Sequence, residues 1–225
     1  MIHVTLKDGS VKELEAGVSV IDVAKSLGAG LAKAACAGRI NNQVVDLRTP
    51  INEDCNLEIC TFDDEDGKKA FWHTAAHVMA QAIQHLYPEA KFGIGPALEN
   101  GWYYDIGGVK PFTPDQFAAI EAEMKKIIKE DLKIERFTKS REDAIAFMKE
   151  KGEPYKVELI EDLPEGEEIS FYSQGEFVDL CAGPHLMNTK GIKAYKLISS
   201  SMAYWRGDSS RDTMCRMYGI AFPKA

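Results

Sequence analysis

Ile2-His3-Val4-Thr5-Leu6-Lys7-Asp8-Gly9-Ser10-Val11-Lys12-Glu13-Leu14, followed by Ser19-Val20-Ile21-Asp22-Val23-Ala24-Lys25-Ser26-Leu27-Gly28, decides how the amino-terminal part of the chain folds. Ile2, Val4 and Leu6 alternate with polar residues, which puts one face of a strand into a core. Lys7-Asp8-Gly9 supplies a turn, and Val11 to Leu14 returns as a second strand. Ser19 with Asp22 three positions on is a helix-start signal. Val20, Ile21, Val23, Ala24 and Leu27 give that helix an apolar face that stops near Gly28.

Short strands are expected around Gln43-Val44-Val45 and Leu57-Glu58-Ile59. Two strands, a helix and then further strands predict a small ubiquitin-like β-grasp domain over residues 1–62. The acidic, glycine-ended run Asp63-Asp64-Glu65-Asp66-Gly67 reads as a linker over 63–67. A larger α/β domain with a mixed or antiparallel sheet and flanking helices is expected over 68–225, making the chain α+β. Its helices are expected over Phe71–Leu86, from Thr113 to about Lys133, from Ser140 to Gly152, and from Pro154 to about Leu159. Thr113, Pro114 and Gln116 form a capping box with proline at the first helical position. Hairpins are expected around Phe92–Ile106 and either side of Ser173-Gln174-Gly175, and short strands over the last fifty residues.

The 225 residues are 45% hydrophobic and 28% charged, an ordinary globular balance. No run approaches the roughly 20 apolar residues of a membrane span, and the start lacks a signal-peptide pattern. Five cysteines without framework spacing predict a reduced, cytoplasmic protein. The net charge of −8 argues against a protein that coats nucleic acid. Yet Thr189–Arg216 carries six basic residues (Lys190, Lys193, Lys196, Arg206, Arg211, Arg216) against Asp208 and Asp212. Such a stripe can guide a phosphate backbone, and is equally an ordinary solvated surface.

Chemistry concentrates in His73-Thr74-Ala75-Ala76-His77 and Cys181-Ala182-Gly183-Pro184-His185. His73 and His77 share one helix face. That face continues through Gln81 and Gln84 without any charged residue, while Ala75, Val78, Met79, Ala82 and Leu86 form the opposite, core face. A polar but uncharged stripe implies a cover: a pocket wall, a substrate or another domain. Gly183 and Pro184 make the Cys181–His185 segment a turn. Thiolate and neutral imidazole are good zinc ligands, so the four residues are a candidate metal set. The spacing also suits core histidines beside a small buried cysteine. Lys156, near a helix start, and Asp179, facing the same side of a strand as Cys181, are further pocket candidates or plain surface residues. Tyr103-Tyr104 and Tyr204-Trp205-Arg206 offer planes that stack bases or fill a core.

His-Thr-Ala-Ala-His (73–77), Gly-Pro-Ala-Leu-Glu-Asn-Gly-Trp-Tyr-Tyr-Asp (95–105), Val-Asp-Leu-Cys-Ala-Gly-Pro-His (178–185) and Ala-Tyr-Trp-Arg-Gly-Asp (203–208), in this order after a β-grasp unit, resemble the amino-terminal region of the bacterial threonyl-tRNA synthetase family. The resemblance covers essentially the whole chain, with Trp102 where the family often has Phe. It implies a TGS domain followed by the editing domain that threonyl and alanyl synthetases share, without the ATP-dependent aminoacylation core or the anticodon-binding domain. The implied activity is deacylation of serine from threonine tRNA, so the implied partner is that tRNA's acceptor end. His73, His77, Lys156, Cys181 and His185 are then catalytic, with Tyr104, Asp179, Tyr204 and Arg206 binding substrate. In the implied roles Lys156 and His73 handle the attacking water, Asp179 pairs with the substrate ammonium and Tyr104 walls the pocket. The resemblance favours a metal-free mechanism, with zinc at His73, His77, Cys181 and His185 as the variant seen in alanyl-type relatives. A monomer without membrane association is expected. The alternatives are a non-catalytic tRNA-binding module and a zinc hydrolase acting on another substrate.

Overall fold

Alternating apolar residues, helix caps and turn residues in the computed structural model, which describes residues 1–225, build two compact units. One comprises Met1–Thr74 with Gly183–Met187, the other Ala75–Ala182 with Asn188–Ala225.

In the first unit, β1 (Ile2–Leu6) and β2 (Val11–Leu14) form the expected hairpin. There follow β3 (Val18–Ser19), α1 (Val20–Leu27), α2 (Ala29–Ala34), β4 (Ala37–Ile40), β5 (Gln43–Val45), β6 (Pro50–Ile51) and β7 (Cys55–Cys60). The five-stranded sheet has the order β2-β1-β7-β4-β5, with β1 and β7 parallel at its centre. This is the β-grasp arrangement. The Ser19 hydroxyl accepts from the Asp22 amide at 3.2 Å and so starts α1. Val20 and Val23 of α1 then pack on Val4, Leu47 and Leu57, all fully buried. Strand β4 and helix α2 lay outside the sequence reading. The signal for β4 is Asn41-Asn42: both residues adopt positive φ (49° and 67°), the geometry of a two-residue hairpin turn into β5.

The acidic run 63–67 is not an extended linker, because α3 spans Glu65–Leu86. Glu65 and Asp66 occupy its first turn, where acidic side chains complement the helix dipole. Asp66 also binds Arg39 at 2.9 Å.

The second unit contains β8 (Lys91–Phe92), β9 (Ala97–Leu98), β10 (Gly101–Gly107), α4 (Pro114–Lys129), β11 (Ile134–Lys139), α5 (Arg141–Glu150), α6 (Pro154–Asp162), β12 (Ile169–Gln174), β13 (Phe177–Leu180), β14 (Ala194–Tyr204) and β15 (Thr213–Phe222). Its two sheets are antiparallel throughout, in the orders β14-β15-β10-β8 and β11-β12-β13. The Thr113–Gln116 capping box and Pro114 open α4 as expected. Ala144, Met148, Val157, Ile160, Ile169 and Phe171 form a core joining α5, α6 and β12. Instead of short strands, the carboxy-terminal region is one long hairpin, β14–β15, of 11 and 10 residues. Leu86 was expected in the core, but it lies on the last turn of α3 and is 39% exposed.

Candidate active site

Alternation along β13 buries Phe177 and Asp179 on the same side of the strand. Asp179 retains only 3% of its exposure, and a carboxylate so placed must be answered by partners. Three answer it. The Tyr104 hydroxyl, on β10, donates to Oδ2 at 2.5 Å. His77 Nε2, on α3, lies 3.1 Å from the same oxygen. Lys156 Nζ, in the first turn of α6, lies 2.8 Å from Oδ1. Lys156 also donates to the Tyr104 hydroxyl at 2.9 Å, closing the network. An ammonium at a helix start faces the positive end of the dipole; the Asp179 charge offsets that cost here.

Burial favours the neutral acid at Asp179, but the charges of Lys156 and His77 overcome it and hold the carboxyl well below its usual range. Burial likewise works against a charged His77, yet the Asp179 charge and hydrogen bond, helped by Cys181, push it up to about 9. Burial and the neighbouring carboxylate raise the Tyr104 phenol well above its ordinary value. Tyr104 is held sterically as well: a Cβ on Gly95 would fall 2.3 Å from its ring, so the chain can approach only as glycine.

The polar stripe of α3 has its cover. Gln81 is buried, donating to the Gln174 carbonyl at 3.2 Å and accepting from the Gln174 side chain at 2.9 Å, so the β12–β13 hairpin closes over it. Sequence reasoning missed Glu153, which precedes Pro154 and is 8% exposed. Its carboxylate accepts from the Phe92 amide at 3.0 Å. Burial, reinforced by the Asp179 charge, pushes it up to about 7. The only hint in the sequence is an acidic residue three positions before Lys156.

In the first unit, His73 and His185 stack with ring centroids 5.8 Å apart. His73 Nδ1 is buried without a hydrogen-bond partner. His185 is fully buried, and its Nδ1 lies 3.2 Å from the Thr74 hydroxyl.

Of the four candidate metal ligands, His77 is engaged by Asp179 within the second unit, and His73 and His185 lie together within the first. The basic stripe is largely answered by acids from elsewhere in the chain. Lys196 pairs with Glu121, Arg206 with Asp162 and Glu158, Arg211 with Glu158, and Arg216 with Asp105. Arg206 is thus held by carboxylates, and Tyr204 is 36% exposed at the end of β14. All five cysteines are free thiols. No helix is long and apolar enough to cross a membrane.

Comparison with known proteins gives two domain matches: the TGS domain over residues 2–61 and the threonyl and alanyl tRNA synthetase second additional domain over residues 169–218. The chain is 58% identical over 221 residues to a threonine–tRNA ligase of Caldanaerobacter subterraneus subsp. tengcongensis, covering 98% of this chain and 34% of the relative. It is 57% identical over 224 residues to that of Acetivibrio thermocellus, covering 100% of this chain and 35% of the relative. The threonine–tRNA ligase of Clostridium acetobutylicum is 58% identical over 224 residues, again 100% of this chain and 35% of the relative. The chain therefore spans about a third of the length of the relatives it matches, and corresponds to their amino-terminal region.

Proposed function

From a chain that carries a TGS domain and a threonyl and alanyl tRNA synthetase second additional domain, we propose an editing hydrolase that removes serine from mischarged threonine tRNA. A synthetic site that accepts threonine cannot strongly reject serine, because one missing methyl is worth only about 1–3 kcal/mol. A second, hydrolytic site that excludes the larger side chain supplies the remaining discrimination.

The observation that carries this reading is the buried network of Lys156, Asp179, Tyr104 and His77. Desolvated charges held by mutual hydrogen bonds cost folding energy and concentrate at reactive sites. In the proposed reaction water attacks the ester carbonyl, the ribose oxygen leaves with a proton, and serine is released. Lys156 has three N–H groups, two of them bound to Asp179 and Tyr104, so the third can hold the water or the developing oxyanion. His73, with its unpartnered Nδ1, takes a proton from the attacking water and returns it to the leaving ribose oxygen. His185 and Cys181 hold the water and the terminal ribose. Asp179 has at most one lone-pair site left for a substrate ammonium, so its main role is to fix Lys156 and His77. Tyr204 and Arg206 contact the tRNA end.

The proposed mechanism needs no metal. Thiolate and imidazole side chains such as those of His73, Cys181 and His185 nonetheless suit zinc by their donor chemistry. A metal held there would lower the pKa of a bound water. Incubating the protein with seryl- and threonyl-threonine tRNA tests the function. Loss of the seryl ester alone, abolished by Lys156→Ala, is expected; equal survival of both esters at high protein concentration overturns it.

A further inference from the structure

His185 is held on three sides within the first unit. The Asp46 carboxylate accepts from its backbone amide at 3.1 Å. Arg48 Nη1 donates to its carbonyl at 3.3 Å and Nη2 to the next carbonyl, Leu186, at 2.6 Å. Arg48 and Asp46 are themselves paired at 2.9 Å, so the β-grasp loop presents a preformed clamp. Met187 packs against the β-grasp core.

The third side is Thr74, and its hydrogen-bond directions can be worked out. Its hydroxyl lies 2.9 Å from the Ala70 carbonyl, which can only accept, so the single hydroxyl proton goes there. The Thr74 oxygen accepts from the Leu186 amide at 3.0 Å, which uses one lone pair. Towards His185 Nδ1, at 3.2 Å, the oxygen has only a lone pair left to offer. The ring nitrogen must therefore be the donor. A neutral imidazole that carries its proton on Nδ1 has its lone pair on Nε2.

We infer that Thr74, together with the Asp46–Arg48 clamp, is the positioning device that fixes His185 in place and in its Nδ1–H tautomer. Within the first unit, the β-grasp loop and Thr74 thus present one imidazole whose lone pair is on Nε2. The inference rests on the editing reading only for the assignment of His185 to the reaction, since the tautomer is a property of the folded chain alone.

The experiment has two arms on the full chain. Nitrogen-15 NMR of histidine-labelled protein, with the His185 signals assigned by their loss in His185→Gln, reads the tautomer without substrate. Nδ1–H is expected in the wild-type protein and in Thr74→Ser, which keeps the hydroxyl, and a shift towards Nε2–H in Thr74→Val. Deacylation kinetics should show kcat lowered about 10- to 100-fold in Thr74→Val, KM nearly unchanged, and recovery in Thr74→Ser, as expected for a misdirected group. Val23→Ala, in the β-grasp core, controls for loss of stability and should keep full kcat. An Nε2–H tautomer in the wild-type protein overturns the inference even if Thr74→Val fails to fold. Unchanged kcat in a folded Thr74→Val also overturns it. Absence of any wild-type hydrolysis overturns the editing reading instead and leaves the NMR arm decisive for the tautomer.

Discussion

The Lys156 ammonium lies 2.8 Å from the Asp179 carboxylate, and each side chain keeps no more than 5% of its exposure. A pair so dry gains its stability only while both members are present. Lys156→Met, which leaves His77 as the one charged partner of the buried Asp179, should cost about 3–5 kcal/mol in urea unfolding. The double substitution Lys156→Met with Asp179→Leu should recover much of that stability and none of the hydrolysis. Recovery of activity in the double variant would remove Lys156 from the chemistry.

Tyr104→Phe deletes the hydroxyl that donates to Asp179 at 2.5 Å and accepts from Lys156 at 2.9 Å. The loss of a buried, charge-assisted bond should cost about 1–3 kcal/mol. With Lys156 less firmly aimed, kcat should fall more than KM rises. A thermal melt and a Michaelis–Menten curve on the same preparation check both.

Stability should decline on both sides of a mildly acidic optimum, as far as this site contributes. His77 rises in the fold from 6.5 to about 9, so its contribution is complete below pH 6.5 and lost as pH climbs through 9. Glu153 rises from 4.5 to about 7, so its contribution is complete below pH 4.5 and fades as pH climbs through 7. Asp179 is lowered from 3.8, so its contribution is present above pH 3.8 and lost on further acidification. Urea midpoints across pH 4 to 10 should show these slopes, and Glu153→Gln should flatten the one between pH 4.5 and 7. An unaltered slope in that variant would refute the assignment to Glu153.

Removal of metal should leave hydrolysis intact. Protein dialysed against a chelator and shown by elemental analysis to be zinc-free is expected to turn over seryl ester at the untreated rate. Activity lost on chelation and restored by zinc alone would assign His73, Cys181 and His185 to a metal centre.

Two glycine substitutions separate the backbone constraints of the first unit. A Cβ on Gly67, in the first turn of α3, would fall 1.8 Å from the Thr61 carbonyl oxygen, whereas one on Gly30 in α2 meets nothing within 4 Å. Gly67→Ala should cost about 1–3 kcal/mol through forced displacement of the backbone. Gly30→Ala should be neutral or stabilise by up to about 1 kcal/mol. Similar melting temperatures for the two variants would contradict this.

The sequence by itself determined what depends on near neighbours along the chain. Alternation in Ile2–Leu6, the caps at Ser19, Thr113 and Ser140, the turn at Ser173-Gln174-Gly175, and the shared face of His73 and His77 are local rules written in residue order. The β-grasp unit and the Asp179 side of β13 follow from them. Tertiary structure decided whatever depends on which distant charge or carbonyl comes within a few ångströms. The Thr189–Arg216 stripe counts as +4 in the sequence, but Glu121, Glu158, Asp162 and Asp105 answer four of its cations. The run 63–67 has a linker's composition, but Arg39 and the Thr61 backbone turn it into a helix start. Glu153 reads as one acid among many until burial gives it a near-neutral pKa. Coulomb and desolvation energies depend on distance and dielectric, which the order of residues does not contain and only the packed chain defines.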